Sequence, residues 1–352
     1  MRLECHEAES VAQARLTRPL YEFIAGGADD ESAIAANSRA WRSAQLLPHV
    51  LADVSDVDTS VEIFGRRLAA PLVVSPMGSH RRVDDGGELT TAALARDAGV
   101  GFVMGIAGFR AIEEVGEVGG TNWLQLYWLK DRDILADLVA RAEASGFAAI
   151  CVTVDAAVPS LRLRDKKNDY RDPSYMKHGC LDKYGDQIKR PDGVFYFTSL
   201  VDRTISWQDI EWLVGLTKLP VVVKGIIRAD DAKRAVDAGA RGVFVSNHGG
   251  RQLGQVRPTA LALRDVAEAL GGSTELFVDG GVRSATDLLT AVSLGARAAG
   301  VGRPILYALG SFGPAGLAGL FETFKTDLGR IMALCGASRI DQIDRSLTVL
   351  HD

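Results

Sequence analysis

Residues 220–253, PVVVKGIIRADDAKRAVDAGARGVFVSNHGGRQL, decide the fold. A short apolar run, Val221 to Val223, is followed by the helical pattern DDAKRAVDAGA, and a second apolar run, Val243 to Val245, follows that. Each run has the length expected of a strand buried on both faces, and the stretch between them reaches glycine, a common helix stop. The second strand opens into a glycine-containing loop carrying His248 and Arg251. An imidazole moves a proton near neutral pH, and a guanidinium holds an anion through a planar fork of donors.

Outward from this unit, the same alternation runs through most of the chain. PLVVS, GFVMG, WLQLY, AAICVTVD, PVVVKG, GVFVSN, LFVDGG and AAGVGR are eight candidate strands from residue 71 onward. Helical patterns lie between many of them, among them ELTTAALARDAG, DILADLVARAEASG, TALALRDVAEALGG and SATDLLTAVSLGA. Eight βα units without a composition break predict a (β/α)8 TIM barrel; an open, doubly wound sheet is the competing arrangement, and the repeat count favours closure. The expected organisation is one domain over 1–352, with N-terminal helices and short strands in 1–70, the barrel in 71–310 and C-terminal helices in 311–352. Within the first part, helical spacing breaks at Pro19 and at Gly26-Gly27, and Asp29, Asp30 and Glu31 suit a helix start. Phe64, Gly65 and Arg66 read as a turn between short strands. The polar interval from about Arg164 to Asp202 is too long for an ordinary connection and reads as a long mobile loop over the barrel mouth.

With 47% hydrophobic and 24% charged residues the chain can bury a large core. A net charge of -5 gives no bulk support for nucleic-acid binding, so an anionic partner needs a local basic pocket. The N-terminus lacks the apolar core of a signal peptide, and no apolar run approaches the roughly 20 residues that span a bilayer, so a cytoplasmic protein without membrane contact is expected. Cys5, Cys151, Cys180 and Cys335 are scattered and form no C-x-x-C pair, which predicts reduced thiols and no metal site. His6, His49, His178 and His351 read as structural.

A barrel brings the C-terminal ends of its strands to one face. The polar and glycine residues at those ends are Ser75, Pro76, Met77 and Gly78, then Gly105, Gln125, Tyr127, Thr153, Asp155, Lys224 and Ser246 to Arg251. Asp279, Gly280, Gly281 and Arg283, with Gly302 and Arg303, follow the last two strands, where barrels often bind phosphate through backbone N–H groups and a helix start. Each glycine taken alone reads equally well as a tight turn. The remaining set, His248, Asp155, Lys224, Arg162, Arg251 and Tyr127, has the make-up of an acid-base site with arginines for a carboxylate. A buried Lys224 is open to two readings, Schiff-base nucleophile or stabiliser of negative charge on a cofactor.

SNHGGRQL, with LPVVVKG, QLYWLKDR, TVD, FVDGGVRSATD and VGRP in order and YEFIAGGADDES near the N-terminus, resembles the FMN-dependent 2-hydroxy acid oxidases and dehydrogenases over nearly the whole chain. The resemblance implies FMN as cofactor and oxidation of an (S)-2-hydroxy acid to the 2-oxo acid, with flavin N5 as electron acceptor and oxygen or a soluble acceptor thereafter. It implies His248 as base with Asp155 as its partner, Arg251 and Arg162 on the substrate carboxylate, and Tyr127 donating to the substrate. Lys224 falls at the flavin N1–O2 edge; Gln125, Thr153 and Ser246 fall on the ring or its side chain; Asp279, Gly281, Arg283, Gly302 and Arg303 fall at the phosphate end. The family precedent is a homotetramer.

Departures from the family pattern bear on the substrate. Phe23 stands where a tyrosine is usual, SPMGSH replaces A-P-x-A and puts Met77 and Gly78 beside the flavin, and Gly105, Ile106 and Ala107 replace serines and a tryptophan. A cleared pocket takes an aromatic ring. Phe23 with a small residue at 107 is similar to bacterial 4-hydroxymandelate oxidases, which favours mandelate or 4-hydroxymandelate over glycolate or lactate. DDGGE at 84–88 replaces a His-Pro segment and leaves room for another or carrier-bound hydroxy acid. The rivals are a Lys224 Schiff-base aldolase-like barrel without flavin and a non-catalytic flavin-binding barrel.

Overall fold

The computed structural model describes residues 2–170, 179–185 and 197–351. Three helices open the chain: α1 (Cys5–Arg15), α2 (Arg18–Ala25) and α3 (Ser32–Ser43). Pro19 lies in the first turn of α2 rather than at a break, because a first-turn proline loses no intrahelical hydrogen bond; the break falls just before it. Strand β1 (Gln45–Leu46) pairs with β12 (Thr348–Val349), tying the segment after α3 to the C-terminal segment. Strands β2 (Val61–Ile63) and β3 (Arg66–Leu68) form a hairpin whose two turn residues, Phe64 and Gly65, have φ of 48° and 72°, the geometry of a tight hairpin turn.

The eight runs form a closed parallel barrel: β4 (Leu72–Val74), β5 (Gly101–Gly105), β6 (Asn122–Tyr127), β7 (Ala149–Thr153), β8 (Val221–Ile226), β9 (Gly242–Val245), β10 (Glu275–Val278) and β11 (Ala298–Val301), with β11 closing on β4. Burial on both faces explains why they read as continuous apolar runs. Inside, Trp123 meets Phe277 edge-on at 5.0 Å between ring centres, and Phe64 of the hairpin turn packs on both rings, closing that end of the barrel.

The helices expected from sequence are present, and Ile112–Val118 and Trp207–Leu216 join them. The latter is the crossover between β7 and β8, so the 164–202 interval is an insertion before it. Its described parts contain the short helices Leu163–Lys167 and Phe197–Leu200 and a 3-10 turn at Asp182–Tyr184; residues 171–178, His178 included, and 186–196 lie outside the described residues. At the C-terminus two helices share the stretch Arg303–Leu334 and meet at the non-helical Gly313 before Pro314, so one of them lies within 311–352, and two 3-10 turns and β12 follow. By length and composition this stretch, taken as one helix, is the one among the described residues able to cross a membrane, and 67% of its most apolar window is buried. All four cysteines are buried free thiols, with Cys151 inside β7. His6, His49 and His351 are exposed.

Asp84 explains the DDGGE segment. Its Oδ2 accepts from the backbone N–H of Gly86 and Gly87 and from Thr90 Oγ1, so it shapes the turn before helix Glu88–Ala98. His80 just upstream is fully buried, with Nδ1 2.9 Å from Thr91 Oγ1.

Candidate active site

A cavity of about 470 Å³ opens at the C-terminal ends of the strands, and of the residues given a catalytic, substrate or cofactor role all line it except Asp155 and Ser246. Those two stand behind the wall and hold residues that do line it. Six arginines and lysines border the cavity, Arg162, Lys166, Lys224, Arg251, Arg283 and Arg303, against two aspartates, Asp165 and Asp279. In a protein of net charge -5 this is a local basic pocket, the condition an anionic ligand requires.

His248, Gly249 and Gly250 all have left-handed backbone conformations, with φ of 57°, 64° and 74°. This is costly for histidine and natural for glycine, so the loop's shape is set by its HGG sequence. The turn is anchored from both sides. His248 N–H donates to Ser246 Oγ at 3.0 Å, and Asn247 exchanges side-chain hydrogen bonds of 2.9 Å with Asn37 of α3. His248 Nδ1 lies 2.9 Å from Asp155 Oδ1, with the side chains 21% and 14% exposed. Burial raises the Asp155 carboxyl, but the imidazole and the Lys224 ammonium outweigh it and hold Asp155 below the ordinary carboxylate value. With Nδ1 committed to the carboxylate, Nε2 is the nitrogen left for a reactant.

Lys224 Nζ donates to Ser246 Oγ at 2.8 Å and pairs with Asp279 Oδ2 at 3.2 Å. Burial alone lowers an ammonium pKa, yet Asp279 and Asp155 raise that of Lys224 above its ordinary value. A Schiff-base nucleophile has to be neutral. The buried pair with Asp279 favours the charged form of this lysine, which argues against the aldolase-like alternative. Asp279, which the resemblance places at the phosphate end, lines the cavity, is the counter-ion of Lys224 and also accepts from Ser75 Oγ at 3.0 Å. Gln125 Nε2 donates to Thr153 Oγ1 at 3.0 Å on the next strand.

The arginines divide. Arg251 Nη1 donates to the carbonyls of Phe23 and Gly26 at 2.8 Å each, and its guanidinium lies 5.2 Å from the centre of the Phe23 ring. Arg303 donates through Nε to Ile24 O, through Nη2 to Gly26 O and through Nη1 to Gly249 O. Three of its five N–H groups are therefore spent on backbone, so it is first a brace between α2 and the signature loop. Arg283 and the helix start at Gly302–Arg303 border the cavity beside Gly280 and Gly281. Arg162 Nε donates to Ser160 Oγ at 3.1 Å.

Sequence reasoning missed the wall formed by Ala156, Ala157, Val158, Pro159 and Ser160 directly after β7, and also Gln252. Small apolar residues carry no chemical signal, but their position at a strand end was one.

The family model for FMN-dependent dehydrogenase matches residues 12–350. The chain belongs to the FMN-dependent dehydrogenase family. It is 39% identical over 350 residues to a 4-hydroxymandelate oxidase of Amycolatopsis orientalis, covering 98% of this chain and 97% of the relative. It is 37% identical over 350 residues to an L-lactate oxidase of Nostoc sp., covering 97% and 96%. Among solved structures, a mandelate oxidase with (S)-2-phenylpropionate superposes with a TM-score of 0.91 at 38% identity, covering 99% of each chain. The cavity of this FMN-dependent enzyme suits the cofactor by its donor set. Gly281, Arg283 and a helix N-terminus form an anion site at one end, and a buried lysine cation lies deeper in. Gly78 and Gly105 add lining that carries no side chain.

Proposed function

We propose that the chain oxidises an aryl (S)-2-hydroxy acid, mandelate or 4-hydroxymandelate, to the 2-oxo acid. The observation that carries the reading is the His248–Asp155 pair on a cavity wall that also holds Arg162 and Arg251. A carboxylate substrate seated on the two guanidiniums puts its α-carbon and hydroxyl within the same small volume as His248. His248 Nε2 then takes the proton, and Asp155 fixes the tautomer and stabilises the imidazolium that forms. Tyr127, on the same wall, donates to the substrate. FMN, when bound, supplies the two-electron acceptor. Arg283, Gly281 and the Gly302–Arg303 helix start would hold its phosphate, with Lys224 as a fixed cation beside its ring and Gln125 and Thr153 as polar contacts. Asp279 and Ser246 keep Lys224 in place.

Two features support an aryl side chain. Phe23 is immobilised in the wall by Tyr170, ring centres 5.0 Å apart, and by Arg251. Ala107, Ala156, Ala157 and Val158 give the cavity small apolar surface for a ring. The likeness to mandelate and 4-hydroxymandelate oxidases points the same way. The reading also includes oxygen or a soluble compound as final acceptor and a cytoplasmic homotetramer. The decisive assay is anaerobic bleaching of the flavin band by (S)-mandelate, (S)-4-hydroxymandelate, (S)-lactate and glycolate, followed by air. Rapid bleaching by lactate with none by mandelate sinks the aryl assignment, and a colourless protein sinks the reading as a whole. Light scattering of the loaded enzyme tests the tetramer.

A further inference from the structure

The His248–Asp155 pair is made across a strand. Asp155 follows β7 and His248 follows β9, and β8 lies between them in the barrel. Adjacent strands are about 4.8 Å apart, so the two parent strands stand about 10 Å apart. The carboxylate nevertheless reaches to 2.9 Å from the imidazole. It does so over the end of β8, and the residue it passes is Gly225.

Three observations converge on that position. Gly225 is the extra residue of a bulge, since Lys224 pairs with Phe244 and Ile226 with Val245, the next residue along. Its φ is +107°, which side-chain-bearing residues rarely adopt. A Cβ built on Gly225 would lie 2.7 Å from both Cβ and Cγ of Asp155, about 1 Å inside ordinary carbon contact. The bulge leaves the flanking ladder intact: Lys224 O still accepts from Val154 N–H at 2.9 Å, and Ile226 O from Ser246 N–H at 3.1 Å. Little else fixes the carboxylate sideways. Among the described residues, Asp155 Oδ2 is buried and meets no hydrogen-bonding partner, and Gln252 Nε2 holds only the backbone carbonyl, at 3.2 Å.

We propose that Gly225 is a positioning residue for the acid-base pair: its missing side chain is the notch through which Asp155 reaches His248 across β8. The inference rests on the acid-base reading of the site.

The test is a double-mutant cycle on the FMN-loaded enzyme with Gly225→Ala, Asp155→Gly and both together, reading kcat, KM, flavin content and melting temperature. Asp155→Gly removes the carboxylate and the two nearest atoms that the new Cβ would strike, at 2.7 Å, and leaves only the looser contact with the Asp155 backbone N at 3.0 Å. Gly225→Ala is expected to lower kcat and kcat/KM together by about 100-fold or more, the scale of a general base, with KM little changed. Asp155→Gly is expected to match it, the double variant to fall no further, and the melting-temperature loss from Gly225→Ala to be smaller in the Asp155→Gly background. If the two losses multiply, or Gly225→Ala stays within about 3-fold of wild type, the proposal is overturned. If Asp155→Gly alone leaves kcat/KM unchanged, the acid-base reading falls, and the proposal with it. Should Gly225→Ala fail to fold, the double variant is expected to fold and take up FMN; its failure too would mean that the glycine serves only the backbone angle, which also overturns the proposal.

Discussion

Lys224→Met keeps the length of the side chain and removes its ammonium, leaving Asp279 buried beside the hydroxyls of Ser75 and Ser246. The two charged side chains are 4% and 9% exposed and stand 3.2 Å apart. Two unit charges at that distance attract by about 5 kcal/mol at an effective dielectric constant of about 20. The pair's net contribution is smaller, because both ions are stripped of water. Breaking it from one side is a different matter, since the stranded carboxylate costs about 3–5 kcal/mol. Unfolding a chain of this length has an entropy of about 0.7 kcal/mol/K near its midpoint, so the apoenzyme is expected to melt about 4–7 °C lower. Lys224→Met/Asp279→Asn, which removes both charges, is expected to regain most of that loss.

The assay is thermal unfolding by circular dichroism of FMN-free wild type, both single variants and the double at pH 7. The pH follows from the direction of the shift. Lys224 has a folded pKa above its unfolded value, so its contribution is complete below about pH 10.5 and is lost only as pH rises through the higher folded value. A Lys224→Met protein melting within about 1 °C of wild type, or a double variant melting at the sum of the single losses, refutes the coupling of these two charges.

Burial holds His80 below the ordinary histidine value, so the unfolded chain takes up a proton first and stability falls as pH drops below about 6.5, by up to about 1.4 kcal/mol per pH unit. His80→Gln is expected to flatten the melting temperature against pH between about 6.5 and 5; an unchanged slope contradicts it. Ala107→Trp fills the apolar end of the cavity, so kcat/KM for mandelate is expected to drop about 10-fold or more relative to lactate, and equal losses on both substrates would remove Ala107 from the specificity argument. Arg251→Lys replaces a fork by a point charge, and a charge-assisted hydrogen bond worth about 1.5–3 kcal/mol puts the expected loss in kcat/KM at about 10–100-fold. Steady-state rates within 2-fold of wild type would show that another group holds the carboxylate.

The barrel was legible because strands buried on both faces leave uninterrupted apolar runs, and because eight of them recur with helices between. Ile112–Val118 escaped notice since Glu113, Glu114 and Glu117 surround few apolar positions and Gly116 interrupts it. Trp207–Leu216 escaped because its aromatic and branched residues lie beside a polar insertion that obscures its spacing. Barrel topology turns strand ends into a single face, so most of the cavity lining could be listed from the linear order alone. Hydrogen-bond partners could not. Two of the three carbonyls that Arg303 meets, those of Ile24 and Gly26, lie at the end of α2, nearly 280 residues away, and a guanidinium's choice between a phosphate and a backbone carbonyl depends on which acceptor the fold brings within about 3 Å. The pairing of Asp279 with Lys224 was hidden for the same reason.

The N-terminal helices lie outside the barrel in sequence, and their hydrogen bonding makes them part of the site. A helix leaves its last carbonyls without intrahelical donors. At the end of α2, Phe23, Ile24 and Gly26 offer theirs to Arg251 and Arg303, and both arginines share the carbonyl of Gly26. Beyond it, Ala28 N–H donates to Gly250 O at 2.9 Å and Asp29 N–H to Leu161 O at 2.8 Å. The segment therefore connects the signature loop, the loop that carries Arg162 and the helix start beside the anion site. Phe23, the residue that departs from the family's tyrosine, sits on this junction with Arg251 against its ring. On the proposed reading, substrate choice and carboxylate binding fall to adjoining groups, Phe23 and Arg251, that meet at one helix end. A change of ring at Phe23, which removes the surface Arg251 rests on, is therefore expected to alter affinity for the acid together with the choice of side chain.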